Sequence, residues 1–218
     1  MSTVTPASPS GSKGLRYRDY TPADEAAAYE VCLRTGDAGK DATALYRDPR
    51  ALGNIYVGAY LAFEPGLSLL LEDESGVCGY CLGALDTPAF FRRFATEWLP
   101  PLRLRHPEPT GDPAAWSLDE RLYHELHHPD LTHPEPIETY PSHMHIDLLP
   151  RAQGQGWGKR LVGELLDRMK HRGSAGVHLG MWARNERAYH FYRAFGFEEL
   201  CRVGEGDRAS IYLGLRFR

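Results

Sequence analysis

Cysteine is scarce in this chain. Its four cysteines, Cys32, Cys78, Cys81 and Cys201, are scattered over 218 residues, too few for the disulfide framework of a small secreted domain. Cys78 and Cys81 stand as C-x-x-C, yet a structural zinc site needs a second ligand pair, and no other close cysteine pair exists. The run VCGYCLGAL around them reads as a strand, not the helix start of a redox motif. Both are expected to be buried strand residues. An apolar run of about 20 residues, the length of a membrane span, is also missing. A basic excess is missing too: 25 Lys and Arg stand against 29 Asp and Glu, a net charge of −4, which argues against nucleic acid as a partner. The first residues, MSTVTPASPSGSKG, lack the basic start and apolar block of a secretory signal. Residues 1–14 are expected to be a disordered tail, and the expected compartment is the cytoplasm.

What remains is ordinary globular material, 42% hydrophobic and 25% charged, long enough for one sizeable core. A short strand is expected over Leu15–Tyr20, then a helix opening at Thr21-Pro22 and running through Leu33. Residues 36–66 read as irregular, with a short helix around Ile55–Leu61. Strands at Leu67–Glu72 and Val77–Leu85 flank the hairpin signal Asp73-Glu-Ser-Gly76. Phe90, Phe91, Phe94 and Trp98 have helical spacing in a helix from Thr87, expected to end at Pro100-Pro101. Another helix is expected to open at Asp112-Pro113 and stop at Pro129. Then come a strand, His143–Leu149, a glycine loop, a helix of about Gly156–His171, a strand, Gly176–Trp182, and a helix, Asn185–Phe195, closed by Gly196. Glu198–Val203 and Ala209–Leu215 read as a final antiparallel pair. The order implies one mixed α/β domain over 15–218 with a parallel crossover at 143–182.

Three glycines in five residues, Gly154, Gly156 and Gly158, sit between that strand and helix. Such a loop lets backbone N–H groups approach a ligand, and the helix N-terminus favours phosphate. A Walker loop fails, because Gln153 stands where glycine is needed and Arg160 where Ser or Thr is needed. The dinucleotide pattern G-x-G-x-x-G fails on spacing. Gln153-x-x-Gly156-x-Gly158 does match the Q/R-x-x-G-x-G/A loop of the GCN5-related N-acetyltransferases (GNAT). Asn185-x-x-Ala188-x-x-Phe191-Tyr192-x-x-x-Gly196-Phe197 resembles the second signature of that family. The stretches 41–49, 60–86 and 140–150 are similar to the acetyltransferase-like C-terminal domain of O-GlcNAcases and its free-standing bacterial relatives. In the animal enzymes the coenzyme loop of that domain is degraded, whereas here it is whole.

The resemblance implies a GNAT fold, a mixed and mostly antiparallel twisted sheet flanked by helices. It also implies an insertion at about 87–141 that forms part of the acceptor wall. It implies transfer of acetyl from acetyl-CoA to a primary amine, with no metal. Gln153, Gly154, Gln155, Gly156, Trp157, Gly158 and Lys159 would hold the pyrophosphate. Leu148 and Leu149 would offer backbone groups to the pantetheine and thioester, and Asn185 would bond the pantetheine. Tyr192 would protonate the leaving thiolate. On the strand HMHIDLL, period two puts His143, His145 and Asp147 on one face. His145 and Asp147 are the candidates for the base.

The acceptor amine, small molecule or protein lysine, stays open, although Glu125, Asp130, Glu135 and Glu138 lie near the expected wall. A competing reading is a non-catalytic module that binds acyl-CoA or docks a protein. His124-Glu125-Leu-His-His128 also satisfies H-E-x-x-H, with His133 or Asp130 as a third zinc ligand. Pro129 ends that helix at once, which argues against a metalloprotease.

Overall fold

The computed structural model describes residues 14–134, 136–206 and 209–218. The tail expected over residues 1–14, apart from Gly14, lies outside the described residues, as does Glu135. Seven strands form one sheet in the order β1-β2-β3-β4-β5-β7-β6. They are β1 (Arg16–Asp19), β2 (Ser68–Asp73), β3 (Gly76–Ala84), β4 (Ser142–Leu148), β5 (Gly176–Trp182), β6 (Glu198–Val203) and β7 (Ser210–Arg216). Every neighbouring pair is antiparallel except β4 with β5. The mixed sheet follows the expected pattern, with β7 inserted between β5 and β6.

Helices cover both faces. On one side lies α7 (Trp157–His171), whose Leu161, Leu165 and Met169 are fully buried. It presses on Gly83, where an added Cβ would meet Met169 Cε at 2.3 Å. A larger residue there would have to displace the flexible end of Met169 and crowd Leu165. On the other side lie α1 (Glu25–Leu33), α2 (Ala51–Tyr56) and α3 (Gly58–Phe63). Tyr80 faces α1 while Gly83 faces α7, as the alternation of a strand demands. Cys78 and Cys81 are wholly buried on β3 with free thiols, the expected state. No helix among the described residues is long and apolar enough to cross a membrane.

The segment after β3 holds α4 (Thr87–Arg93), a π-helical turn (Phe94–Trp98), α5 (Leu99–Arg105) and α6 (Leu118–His127). Two expectations need correcting here. The chain does not stop being helical at Pro100-Pro101, because both prolines occupy the first turn of α5, where a missing N–H leaves no bond unmade. Nor does α6 open at Asp112-Pro113, which forms only a 3-10 turn. It opens at Ser117, whose hydroxyl accepts from Glu120 N while Glu120 reaches back, a capping box. Phe90, Phe94, Leu99, Leu102 and Leu126 close a second apolar cluster against Ala84.

Leu165→Ala is expected to lower unfolding stability by about 2–5 kcal/mol, because α7 and β3 have no means of closing the cavity. The urea midpoint with unchanged slope would measure it.

Candidate functional site

The strands β4 and β5 pair only at Ser142↔Val177 and His143↔His178, although β4 runs on to Leu148 and β5 to Trp182. Beyond those pairs the strands part. Leu149 N donates to Cys78 O at 2.8 Å. The alternation of an antiparallel ladder therefore turns the backbone groups of Ile146 and Leu148 away from β3 and into the gap. The backbone of Leu148 faces the gap, its carbonyl already taking a bond from Gln153 Nε2, but that of Leu149 does not. Its N–H goes to Cys78 and its carbonyl accepts from Ala152 N at 2.9 Å. Ile146, which sequence reasoning passed over, takes its place.

At the end of β4 the loop turns through Gly154 (φ 74°) and Gly156 (φ 79°), both in the left-handed region that favours glycine. Nothing lies within 4 Å of an added Cβ at either position. Gly156 is the N-cap of α7 and no side chain caps the helix, so its first amides face outward. Lys159 and Gln155 are exposed, and the Gln155 amide donates to Arg151 O at 2.8 Å. Gln153 Nε2 donates to Leu148 O, and Gln153 Oε1 accepts from Arg187 Nη1, each at 2.6 Å. Trp157 is 7% exposed and its ring packs into the core, under the Arg160 guanidinium, so it is its backbone that reaches the loop. Gly158 meets Leu148 and Phe191 at ordinary contact distance. Lys40 and Arg187 line the same cleft. Neither was legible as a site residue, because no motif contains Lys40 and Arg187 fills a variable position of one.

The polar face of β4 sits beside the gap. Tyr80 is the cross-strand partner of Asp147, and its hydroxyl donates to Asp147 Oδ2 at 2.6 Å. His145 Nε2 lies 3.1 Å from both that oxygen and the Tyr80 oxygen. Tyr192 is buried, and burial first, with Cys81 and Asp147 adding, pushes its phenol up. The neutral, proton-bearing form is the one present at neutral pH. Asn185 caps α8 (Glu186–Phe195) by accepting from Ala188 N at 3.1 Å, which leaves its amide NH2 to the cleft.

Three cavities run into one another here. A cleft of about 400 Å³ beside the glycine loop shares Asp147, Asn185 and Tyr192 with a middle space of about 260 Å³. That space shares Tyr56 and His145 with a third cavity of about 240 Å³. In the third, Glu125 of α6 accepts from the Tyr56 hydroxyl at 3.1 Å. Burial holds its carboxyl above the usual range, Asp130 adds to the rise, and the Tyr56 bond opposes it.

This orientation of Glu125 breaks up the H-E-x-x-H reading. The glutamate points to Tyr56, while the His124 and His128 rings, with centroids 4.4 Å apart, meet Glu108 instead. One ligand atom from each of Glu108, His124 and His128 lies within 4.8 Å of the others. The third group is thus Glu108, not the expected His133 or Asp130.

The Acetyltransferase (GNAT) family matches over residues 121–197. Across nearly the whole chain, the crystal structure of SsHAT is 38% identical with a TM-score of 0.83, covering 93% of this chain and 98% of that one. The chain belongs to the GNAT family. Protein O-GlcNAcase from Rattus norvegicus and from Mus musculus is 28% identical over 204 residues, which is 93% of this chain. The chain spans 22% of the length of those curated relatives. The GNAT fold is also shared with yncA from Salmonella typhimurium, solved with its cofactor acetyl-CoA. That structure is 15% identical, with a TM-score of 0.53, and the match covers 93% of this chain and 94% of yncA.

In this GNAT chain two histidines are buried where the strands part. His178 Nδ1 donates to Tyr140 O at 2.8 Å. The Thr87 hydroxyl donates to Pro141 O and so takes its second bond, at 2.8 Å, from His143 Nδ1–H. Burial pushes His178 down to about 4 and His143 well below its ordinary value. Both stay neutral in the folded state while the unfolded chain binds protons near pH 6.5. Their contribution is therefore fully present above about pH 6.5 and is lost on acidification, for His178 toward pH 4. The expected slope is roughly 1.4 kcal/mol per pH unit for each histidine. Urea titrations from pH 5 to 7 should show it, and His178→Gln should remove its share.

Proposed function

We propose that this chain is an acetyl-CoA-dependent N-acetyltransferase that moves acetyl directly to a primary amine within a ternary complex. The observation that carries the reading is the gap between β4 and β5, with an open glycine loop at one end and the His145–Asp147 pair beside it. The donor set suits the cosubstrate. Uncapped helix amides and the cations Lys40 and Arg187 suit a pyrophosphate. The backbone of Ile146 and Leu148, with the Asn185 amide, suits a pantetheine arm. The acetyl-CoA held by yncA, a fold neighbour, supports the same choice.

When bound, acetyl-CoA supplies the acetyl group as a thioester and a thiolate as leaving group. The chain supplies position and proton traffic, and position alone is worth roughly 7–11 kcal/mol in favourable cases. An ionised carboxylate only accepts hydrogen bonds, so Asp147 selects the His145 tautomer that carries its proton on Nε2. Nδ1 then holds the lone pair and takes the proton of the incoming amine. Asp147 orients the base, with Tyr80 fixing Asp147 in turn. Gap-facing N–H groups of β4 bond the thioester oxygen as charge grows on it. Tyr192 gives its phenolic proton to the departing sulfur; burial keeps the phenol protonated until then, and the same dry surroundings raise the proton affinity of the thiolate that receives it.

Calorimetric titration with acetyl-CoA should give micromolar binding that Gly156→Val abolishes, since valine resists positive φ and fills the space kept open. Tyr192→Phe should lower kcat by about 100-fold or more with acetyl-CoA affinity within about twofold. Equal loss of both would remove Tyr192 from the proton path. Tight binding with no transfer to any primary amine would make the chain an acyl-CoA-binding module instead.

A further inference from the structure

The cavity beyond His145 carries information about the acceptor, and reading it rests on the acetyltransferase assignment above. It lies on the opposite side of His145 and Tyr56 from the cleft that suits the cosubstrate. An acceptor whose amine meets His145 therefore extends into it. Its volume of about 240 Å³ is below the roughly 300–1,000 Å³ of ordinary ligand pockets. The part of the acceptor seated in it is small.

Its charge pattern is one-sided. Glu125 and Asp130 line it, and no Lys or Arg does. Glu125 is half-buried, and its one bond among the described residues is from the Tyr56 hydroxyl. No cation among the described residues neutralises it. Among the described residues Asp130 accepts only from Thr132 N, at 3.0 Å. A carboxylate removed from water is stable when paired, and here the partner must come from outside.

His143 gives a second, independent observation. It lines the same cavity at 6% exposure, and its Nε2 is buried with no hydrogen-bond partner. Because Nδ1 holds the proton in its bond to Thr87, that orphaned nitrogen is an acceptor. A buried polar atom left unmatched costs about 1–3 kcal/mol, so the cavity calls for donors. Tyr60 and Phe90, whose rings pack against His143 at 5.3 and 5.0 Å, add aromatic surface that suits both a methylene stem and a cation.

From these we infer that the acceptor is a small alkyl diamine: one amine reacts at His145, and the second, as an ammonium, is held by Glu125, with His143 Nε2 as a further acceptor for its N–H groups. A protein lysine side chain carries one ammonium and leaves the Glu125 end unmet. Acceptors with a carboxylate at the far end meet repulsion there.

The test has a binding arm and a turnover arm. In the first, 1,4-diaminobutane, butylamine and Nα-acetyl-lysine methylamide are titrated into the protein without acetyl-CoA, followed by NMR of the histidine ring protons. The expected result is saturable binding of the diamine at least tenfold tighter than of either monoamine, an advantage that Glu125→Gln erases. Retained acetyl-CoA affinity and an unchanged melting temperature check that the variant folds. In the second arm, kcat/KM for the diamine should exceed that for butylamine at least tenfold, through KM, and the ratio should fall toward one in Glu125→Gln. Equal use of diamine and monoamine, preference for the lysine derivative, or a diamine KM indifferent to Glu125→Gln overturns the inference while leaving the acetyltransferase reading intact. Diamine binding without acetyl-CoA binding overturns the acetyltransferase reading, and the diamine's role as acceptor with it.

Discussion

Two residue pairs, Ser142 with Val177 and His143 with His178, join β4 to β5, and the site depends on their being so few. Each strand is held along most of its length by its other neighbour, β4 by β3 and β5 by β7. The sheet's twist therefore carries them apart instead of drawing them together. An interrupted ladder leaves main-chain donors and acceptors unmet, a state tolerated only where water or a ligand completes them. The opening is thus a slot whose walls are backbone, and the hydrogen bonds those walls offer depend little on which side chains flank it.

What gives the slot direction is the asymmetry at its two ends. Toward the C-terminal end of β4 stand the left-handed glycines, the bare helix start and the cations Arg187 and Lys40. On the other side stand carboxylates, imidazoles and aromatic rings. His145 and Asp147 lie where the two regimes meet. Their geometry is fixed from β3 through Tyr80, so the polar cluster is held by sheet register and not by a mobile loop.

Those parts of the site encoded as local backbone geometry were legible in the sequence. Gly154 and Gly156 announce positive φ, Asn185 and Gly196 announce the ends of α8, and strand alternation put His145 and Asp147 on one face. Contacts set by tertiary register were not legible. Nothing local pairs Tyr80 with Asp147, sets Lys40 beside Arg187, or turns Leu149 toward Cys78 while Ile146 faces the gap. Trp157 illustrates the limit: it sits inside a ligand-binding motif, yet its side chain belongs to the core. The segment 87–141 misled where two signals competed. Ser117 with Glu120 outweighed Asp112-Pro113 as a helix start, because a reciprocal cap satisfies more backbone than a proline turn does.

The burial of three of the cysteines reaches into redox chemistry. Cys32 and Cys78, with thiols pushed up to about 12 and about 11, and Cys81, raised further by complete burial, carry almost no thiolate at neutral pH. Thiolate is the form that oxidants and disulfide reagents attack. Cys201 is exposed. A disulfide reagent applied to the folded protein therefore has one accessible thiol to find. Oxidative conditions that modify Cys201 leave the interior beside Tyr80 and Tyr192 chemically untouched.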